Sequence, residues 1–435
     1  MDSSADVRAG TALASRECPE CSALLPVDGK YVQWCASCDW NVDPGAPDPE
    51  PGRIAAARHR LAHRYGQELA SEMEGAGVAR PGRDAAAVLA LTLSMFVHGL
   101  TVFLAVAGVM LVVLGWDTGA LPVVGVLLLA VAAVLRPRFG RLPKDALTMN
   151  RADAPKLFAM IDEVGAVAGT TGVDTVVVDA SANAAVTTYG LRRRRVLYLG
   201  LGLWEMLNPQ ERAALLGHEL GHFAHGDIRH GAVTSGALRS LHLWLYFLAP
   251  SEPEGLMDRF VNATTFLPRC LVLGAVTVLD LLTLRASQRA EYLADVSAAR
   301  AGSTEAAVAL MDRLLLCRSA EAELRREAVA AQMRGGAAGR EARALAEQDL
   351  WGRMAERMGA VPAHEYERLR RVSARRGHSV DDTHPPTHLR RRCVAASGSH
   401  PAGVVCGDER LAAVADELTP ARSALARMVI RDYAG

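Results

Sequence analysis

The longest apolar segments of the sequence lie in its N-terminal half. Residues 85–115 contain no formally charged side chain, and residues 120–135 form a second apolar run after a tight loop that begins at Trp116. A helix needs roughly 20 apolar residues to span a bilayer, and the first run exceeds that length. The pattern therefore predicts a hairpin of two transmembrane helices over residues 85–135.

Charged residues on either side of this hairpin predict its orientation. Arg80 and Arg83 precede it and a basic cluster follows it, whereas the connecting loop carries only Asp117. Because basic residues accumulate on the cytoplasmic side of membrane proteins, both ends of the hairpin are expected to face the cytoplasm. The basic residues that follow the hairpin are Arg136, Arg138, Arg141 and Lys144.

The pattern that follows residue 142 is typical of a domain with helices and a small sheet. It predicts a helix over residues 156–168 and short strands over residues 175–179, 183–190 and 196–199. Asn208 and Pro209 then form a helix start, with Asn at the cap and Pro in the first turn.

Two further apolar stretches cover residues 232–250 and 260–284. They contain Arg239 and Arg269, and an arginine at the bilayer centre costs about 2.5 kcal/mol or more. Neither stretch is therefore a clean span. Because the candidate ligands described below lie on both sides of these stretches and must meet, the number of crossings between them is zero or two. Two crossings, a membrane-dipping hairpin and helices packed on the catalytic domain all remain open.

Overall charge and composition exclude some classes of function. The 48 basic and 48 acidic residues balance, so no general attraction to nucleic acid is expected. The N-terminus lacks a basic patch followed by an apolar run, so no secretory signal peptide is expected. Residues 42–84 are predicted as a Pro- and Asp-rich linker followed by a charged helix.

Four of the eight cysteines have the spacing of a zinc ribbon. Two Cys-x-x-Cys pairs are separated by residues 22–34, and each pair can direct two thiolates at one tetrahedral ion. Two disulfides are the alternative, which needs an oxidising compartment. Because acidic residues outnumber basic ones here, a protein contact is expected rather than nucleic acid. The predicted structural zinc ligands, within residues 15–41, are Cys18, Cys21, Cys35 and Cys38.

The sequence His218-Glu219-Leu-Gly-His222 carries the main catalytic signal. Residues four apart share one face of a helix, so the two histidines can bind one zinc ion while Glu219 activates a water molecule. The alternative is a pair of partly buried helix histidines. The longer pattern HExxHxxGxxH fails because this chain has His225 and Ile228. His225 lies on the ligand face, and a fourth-ligand role and a supporting or surface role both remain open.

Glu291 is the candidate third zinc ligand, and Asp295 lies one helical turn beyond it. A carboxylate ligand is compatible with a catalytic zinc that keeps one coordination position open. Asp295 can accept a hydrogen bond from the non-ligating nitrogen of one histidine. The alternative for this pair is an exposed helix face.

Four separate motifs resemble the HtpX and CAAX-prenyl-protease family of membrane zinc metallopeptidases, over roughly residues 142–393. This resemblance implies His218, His222 and Glu291 as ligands and Glu219 as the general base. It also implies that Asn183 lies on a substrate-binding edge strand, that His384 lies near the transition-state oxyanion, and that Arg390 supports substrate binding. The motifs are Ala182-Asn183-Ala184, HELGH, Ser-x-Arg-x-Glu291-x-x-Ala-Asp295 and Thr-His384-Pro-Pro-Thr-x-x-Arg390.

Together these features predict a mainly α (α+β) protein with a zincin-like domain. The expected function is that of a multi-pass membrane zinc endopeptidase whose ribbon and catalytic domain face the cytoplasm, acting on protein substrates in membrane-protein quality control. A non-catalytic zinc-binding scaffold and a signalling protease with one dedicated substrate are the alternatives. One catalytic and one structural Zn2+ are expected, with the bilayer and a protein at the ribbon as partners. The predicted units cover residues 15–41, 42–84, 85–135, 142–396 and a helical tail at 397–435.

Overall fold

A computed structural model describes most of the chain, and its helices far outnumber its strands. The predicted mainly helical α+β class is therefore confirmed. His225 and Thr383 lie outside the described residues. The described ranges are 15–45, 52–76, 85–136, 140–190, 192–224, 227–252, 255–333, 336–376 and 384–432.

The N-terminal unit is a small ribbon built around its cysteines. Strands β1 (Ser15–Glu17) and β2 (Leu24–Pro26) pair antiparallel. Ser22 and Asp39, which directly follow the two Cys-x-x-Cys pairs, have φ angles of 56° and 60°. These left-handed residues turn the chain sharply at each pair, so that both pairs face one point.

Two long helices form the predicted apolar hairpin. Helix α1 (Arg53–Ala76) precedes α2 (Ala85–Leu114), and a short 3-10 turn connects α2 to α3 (Ala120–Leu135). A side chain at Gly108 would place its Cβ 2.8 Å from the carbonyl oxygen of Gly125, so the two helices are in close contact. Large apolar side chains cover their outer faces, which is how helices face lipid.

The next segment forms a four-stranded sheet with one helix packed against it. The strand order is β3–β4–β6–β5, with β4 and β6 parallel and the other neighbours antiparallel. In the described chain β5 lies at one edge of this sheet. The elements are β3 (Leu147–Met149), α4 (Pro155–Ala168), β4 (Thr175–Asp179), β5 (Ala184–Tyr189), β6 (Arg194–Gly200) and the short α5 (Leu201–Trp204).

Three helices connect the sheet to the apolar hairpin. They are α6 (Pro209–Ala224), α7 (Asp227–Phe247) and α8 (Leu256–Gly302). At a rise of 1.5 Å per residue, α8 is about 70 Å long. Its N-terminal half packs with α2 and α7 around Leu241, Trp244 and Leu279, and its C-terminal half packs against α6. The sequence motif around Glu291 is thus the continuation of an apolar helix rather than a separate element.

The remaining helices complete the catalytic region and the C-terminal tail. The last of them supplies a cap that the sequence did not indicate, because the Glu417 carboxylate accepts hydrogen bonds from the amides of Lys156 and Leu157 at the start of α4. The helices are α9 (Thr304–Leu314), α10 (Cys317–Gln332), α11 (Gly336–Gln348), α12 (Leu350–Gly359), α13 (Ala363–Arg376), α14 (Thr387–Ala396) and α15 (Asp408–Asp432).

The ribbon binds to one of these helices, α13. Asp39 accepts hydrogen bonds from Arg371 at 2.6 Å and from Arg375 at 2.8 Å. Asp43 pairs with Arg376, and the guanidinium of Arg371 lies over the Trp34 ring. The excess negative charge of the ribbon therefore contacts arginines of the same chain, and a separate protein partner at the ribbon stays a prediction.

Candidate active site

The helix that carries the HExxH motif begins at a reciprocal cap. The amide of Asn208 donates to the Glu211 carboxylate at 2.8 Å, and the amide of Glu211 donates to the Asn208 side chain at 2.9 Å. Such a reciprocal pair of hydrogen bonds, called a capping box, satisfies amides that the start of a helix otherwise leaves unpaired. It fixes the start of α6, and His218 and Glu219 lie buried three turns farther on.

Two glycines on α6 allow α8 to approach closely. A Cβ at Gly217 would lie 2.6 Å from the Cβ of Ala301, and a Cβ at Gly221 would lie 3.0 Å from the Cα of Ala294. Because these distances are below normal contact, only glycine fits at both positions. This close crossing brings Glu291 on α8 opposite the histidines of α6.

The donor atoms of His218, His222 and Glu291 converge, and their geometry fits a divalent cation. The Nε2 atom of each histidine lies 3.6 Å from a carboxylate oxygen of Glu291. Two ligands of a tetrahedral zinc ion are about 3.4 Å apart, which is close to these separations. Glu291 Oε2 is also buried without a hydrogen-bond partner, with Arg390 Nη1 at 3.5 Å, and a bound cation would give this atom a direct partner.

A buried ion pair, Asp295 and Arg390, contacts two of the candidate ligands. Asp295 Oδ1 lies 3.0 Å from Nδ1 of His218, so this nitrogen donates and Nε2 is left to face the cation. Arg390 donates two hydrogen bonds to the same carboxylate, at 2.9 and 2.7 Å. The Nη2 atom of Arg390 is 3.4 Å from both ring nitrogens of His218, so it lies over the ring rather than in its plane.

The pKa values at the site follow from burial and from these partners. Burial lowers the pKa of His222 to about 4, and the neighbouring His218 acts in the same direction. Burial also acts to lower the pKa of His218, but the hydrogen bond to Asp295 and the negative charges of Asp295 and Glu291 together outweigh it, and the net shift is upward. Burial raises the pKa of the Glu219 carboxyl, and His218 opposes that effect. His222 is therefore neutral at pH 7, which a metal ligand requires.

The three helper residues expected from the sequence lie in different environments. His384 reaches the site, with Nε2 at 3.3 Å from Glu291 Oε1. Asn183 is exposed directly before β5, which contacts α6. Arg390 is only 2% exposed and pairs with Asp295, which favours a positioning role over contact with substrate.

The sequence did not indicate two contacts that support the site from α1. The hydroxyl of Tyr292 donates to the Gly66 carbonyl at 2.9 Å, and the Gln288 amide donates to the Ala62 carbonyl at 3.0 Å. Tyr292 and Gln288 are both buried beside Glu291 on α8. Polar and charged residues are frequent on this part of α8, so no local pattern distinguished Gln288 or Tyr292 in the sequence.

The ribbon contains a second group of donors that fits a cation. The Sγ atoms of Cys18 and Cys38 are 3.7 Å apart, and those of Cys21 and Cys35 are 3.4 Å apart. Four sulfurs at 2.3 Å from a tetrahedral zinc ion would be about 3.8 Å apart. All four cysteines are free thiols, in agreement with a metal site rather than disulfides.

Comparison with known proteins gives matches that centre on this site. Residues 152–396 match the family model of peptidase family M48. Protease HtpX of Pseudomonas fluorescens is 28% identical over 141 residues, which cover 31% of this chain and 46% of that protein. Protease HtpX of Nitrosococcus oceani is 29% identical over 152 residues, covering 33% and 50%. A Protease HtpX homolog of Pyrobaculum calidifontis is 28% identical over 243 residues, covering 55% and 67%.

The extent of these matches limits what they show. The chain spans about half the length of the two bacterial relatives. No solved structure matches the chain.

Proposed function

Because the chain belongs to peptidase family M48, we propose that it is a membrane-bound zinc endopeptidase that hydrolyses peptide bonds of protein substrates. The observation that carries this proposal is the convergence of His218, His222 and Glu291, with Glu219 next in sequence to a ligand. The family assignment confirms the resemblance inferred from the four motifs.

The roles of the side chains follow from their positions. Bound zinc would polarise the scissile carbonyl and lower the pKa of water. Glu219 accepts the proton of the attacking water and delivers it to the leaving amine. His384, close to Glu291, donates a hydrogen bond to the developing oxyanion. Arg390 and Asp295 hold the His218 ring in the tautomer that leaves Nε2 to the cation.

The substrate would bind as an added strand beside β5. This strand lies at the edge of the described sheet and contacts α6, and Asn183 directly precedes it. Strand addition gives affinity through backbone hydrogen bonds and little sequence preference. Such binding favours many unfolded or damaged proteins over one dedicated substrate, and it supports a role in membrane-protein quality control.

The proposed membrane arrangement has two crossings, by α2 and α3, and a membrane-dipping hairpin formed by α7 and the N-terminal half of α8. Helices α2 and α8 are long and apolar enough to span a bilayer, and α3 and α7 pack beside them. The indole N–H of Trp244, near the end of α7, donates to the carbonyl of Leu135 at the end of α3, so α7 does not carry the chain away from the level at which the first hairpin ends. With both ends of that hairpin in the cytoplasm, no crossing separates His222 from Glu291, and the ligands meet on one side.

The ribbon is proposed to hold a second, structural zinc ion. Four thiolates close the coordination sphere and leave no position for substrate or water. A reduced site of four cysteines agrees with a cytoplasmic location, where thiols stay reduced.

The experiment is proteolysis of casein by detergent-purified wild type beside Glu219→Gln and the matched control Glu409→Gln, whose side chain is exposed on α15. Loss of a general base is expected to reduce the rate by about 100-fold or more, with zinc content unchanged. The control variant should cut like wild type, and a chelator should stop both. A Glu219→Gln protein that cuts like wild type would refute the assignment of the base. Equal zinc binding with no cleavage by any variant would leave the non-catalytic scaffold and a signalling protease with one dedicated substrate as the alternatives.

A further inference from the structure

The tip of the β5–β6 hairpin lies beside the segment that follows α3. The amide of Gly190 at the tip donates to the Gly140 carbonyl at 3.0 Å. A Cβ at Gly140 would lie only 3.8 Å from the Thr188 carbonyl oxygen. Gly140 is five residues beyond Leu135, the last residue of α3. Since five residues reach at most about 18 Å, the residue that the hairpin tip contacts lies within that distance of the end of an apolar helix.

The end of α3 is fixed by a contact with α7. The indole N–H of Trp244 on α7, whose side chain is only 5% exposed, donates to the carbonyl of Leu135 at 3.1 Å. The end of α3 and the neighbouring turn of α7 thus lie at one level, and the hairpin tip lies close to it.

Exposed basic side chains accumulate around this contact. The hairpin tip carries three consecutive exposed arginines. The next one, Arg195, is half-buried, donates to Thr170 and Thr171 and stacks on Phe223. The segment around Gly140 adds three exposed cations, and Asp145 is the exposed acid within it. The six cations are Arg136, Arg141, Lys144, Arg192, Arg193 and Arg194.

The turn itself is not built from the residues that a turn prefers. Arg193 has a φ of 49°, in the left-handed region that favours glycine or asparagine. Because the backbone disfavours an arginine at such a position, its presence points to a role for the side chain. The long cationic side chain is exposed next to the boundary of the apolar layer, where it can reach lipid headgroups.

We propose that the hairpin tip and the segment after α3 form one binding surface for the phosphate groups of anionic phospholipids. The inference rests on the proposed membrane placement. Guanidinium groups bind phosphate through paired hydrogen bonds, and basic clusters beside a membrane helix are attracted to anionic headgroups. The surface would hold the Tyr189 end of β5 at the membrane, so extended segments that have just left the bilayer meet this edge strand first.

The test uses the full-length protein in vesicles of phosphatidylcholine and phosphatidylglycerol. Tryptophans of the protein, among them Trp244 beside the end of α3, transfer energy to labelled lipid nearby. The ratio of this transfer for labelled phosphatidylglycerol to that for labelled phosphatidylcholine measures the lipid preference. For the triple variant Arg192→Gln, Arg193→Gln and Arg194→Gln, this preference is expected to fall at least about five-fold. Lysines at the same three positions should keep most of it. Unchanged preference in the glutamine variant, or no preference in wild type, would overturn the proposal.

The matched control removes three exposed arginines from helices remote in sequence from the hairpin. Replacing Arg318, Arg340 and Arg427 with Gln gives the same change of net charge. The preference for phosphatidylglycerol should be unchanged, and an equal fall would overturn the proposal because only net charge would matter.

Two further arms distinguish a membrane surface from a site for a free phosphate ester and test the membrane placement itself. Soluble glycerol phosphate should not displace the labelled lipid, and full displacement would indicate a site for a free phosphate ester instead.

Wild type should stay in the vesicles on alkaline carbonate washing. Release by this wash would refute the membrane placement and this inference together, whereas retention without lipid preference would refute this inference alone.

Discussion

The buried pair of Asp295 and Arg390 gives the sharpest prediction about how the site is held. Asp295 is 1% exposed and Arg390 is 2% exposed, and two hydrogen bonds join them. Removing one member of such a pair leaves a buried, uncompensated charge and costs about 3–5 kcal/mol. Replacing both with apolar groups should cost less than either single change, because neither charge of the pair is then left alone, although the Glu291 carboxylate, 3.5 Å from Arg390, loses that contact. The pair should therefore show strong coupling.

The experiment is a double-mutant cycle on Asp295→Leu and Arg390→Met, measured as thermal unfolding of the detergent-purified protein. Each single variant should unfold at a markedly lower temperature than wild type, and the double variant should recover part of the loss. Glu163→Gln, which breaks the exposed pair with Arg410, is the control and should cost less than about 1 kcal/mol.

Zinc affinity provides a second readout of the same pair. Loss of the hydrogen bond that His218 donates to Asp295 should weaken zinc binding about 10–100-fold in Asp295→Leu, since outer partners of ligands have effects of this size. Additive losses of stability in the cycle, together with unchanged zinc affinity, would refute the positioning role.

Three further predictions concern the packing around the site. Gly217→Ala should destabilise the protein by about 1–3 kcal/mol and reduce its zinc content, because the added Cβ overlaps α8. Gly274→Ala is the control and should be tolerated, because the space around Gly274 is open. Thermal unfolding and metal analysis measure both effects. Tyr292→Phe should cost about 1 kcal/mol of stability in the same unfolding assay, since it removes the hydrogen bond to the Gly66 carbonyl. Cys21→Ser should lower the zinc content by one ion per chain while Glu219-dependent cleavage persists, and loss of both ions would contradict separate sites.

Short-range signals account for most of what the sequence predicted. The helical spacing of His218 and His222, the Asn208 cap and the apolar hairpin depend on residues close together in the chain, and the structure contains each of these elements. The course of α8 was not predicted, because its apolar half and its Glu291 motif carry different compositions. A single helix joins them, and only the packing of each half shows that they belong together.

Long-range contacts explain the rest, and those made by α1 are the clearest case. The charged, Ala-rich sequence of α1 gives no indication of its partner, yet α1 packs against both α8 and α14. Its backbone accepts the hydrogen bond from Tyr292, and a Cβ at Gly66 would lie 3.4 Å from Cδ of Pro386. Pro386 is two residues from His384, so α1 supports the segment that carries this histidine.

The ribbon contacts the chain on the other side of that segment. It binds α13 through Asp39 and Asp43, and α13 ends at Arg376, eight residues before His384. The ribbon and α1 both lie outside the residues that match the family. The position of His384 relative to Glu291 therefore depends on packing that an N-terminal region of this chain supplies, since α1 contacts both α8, which carries Glu291, and α14, which begins three residues after the histidine.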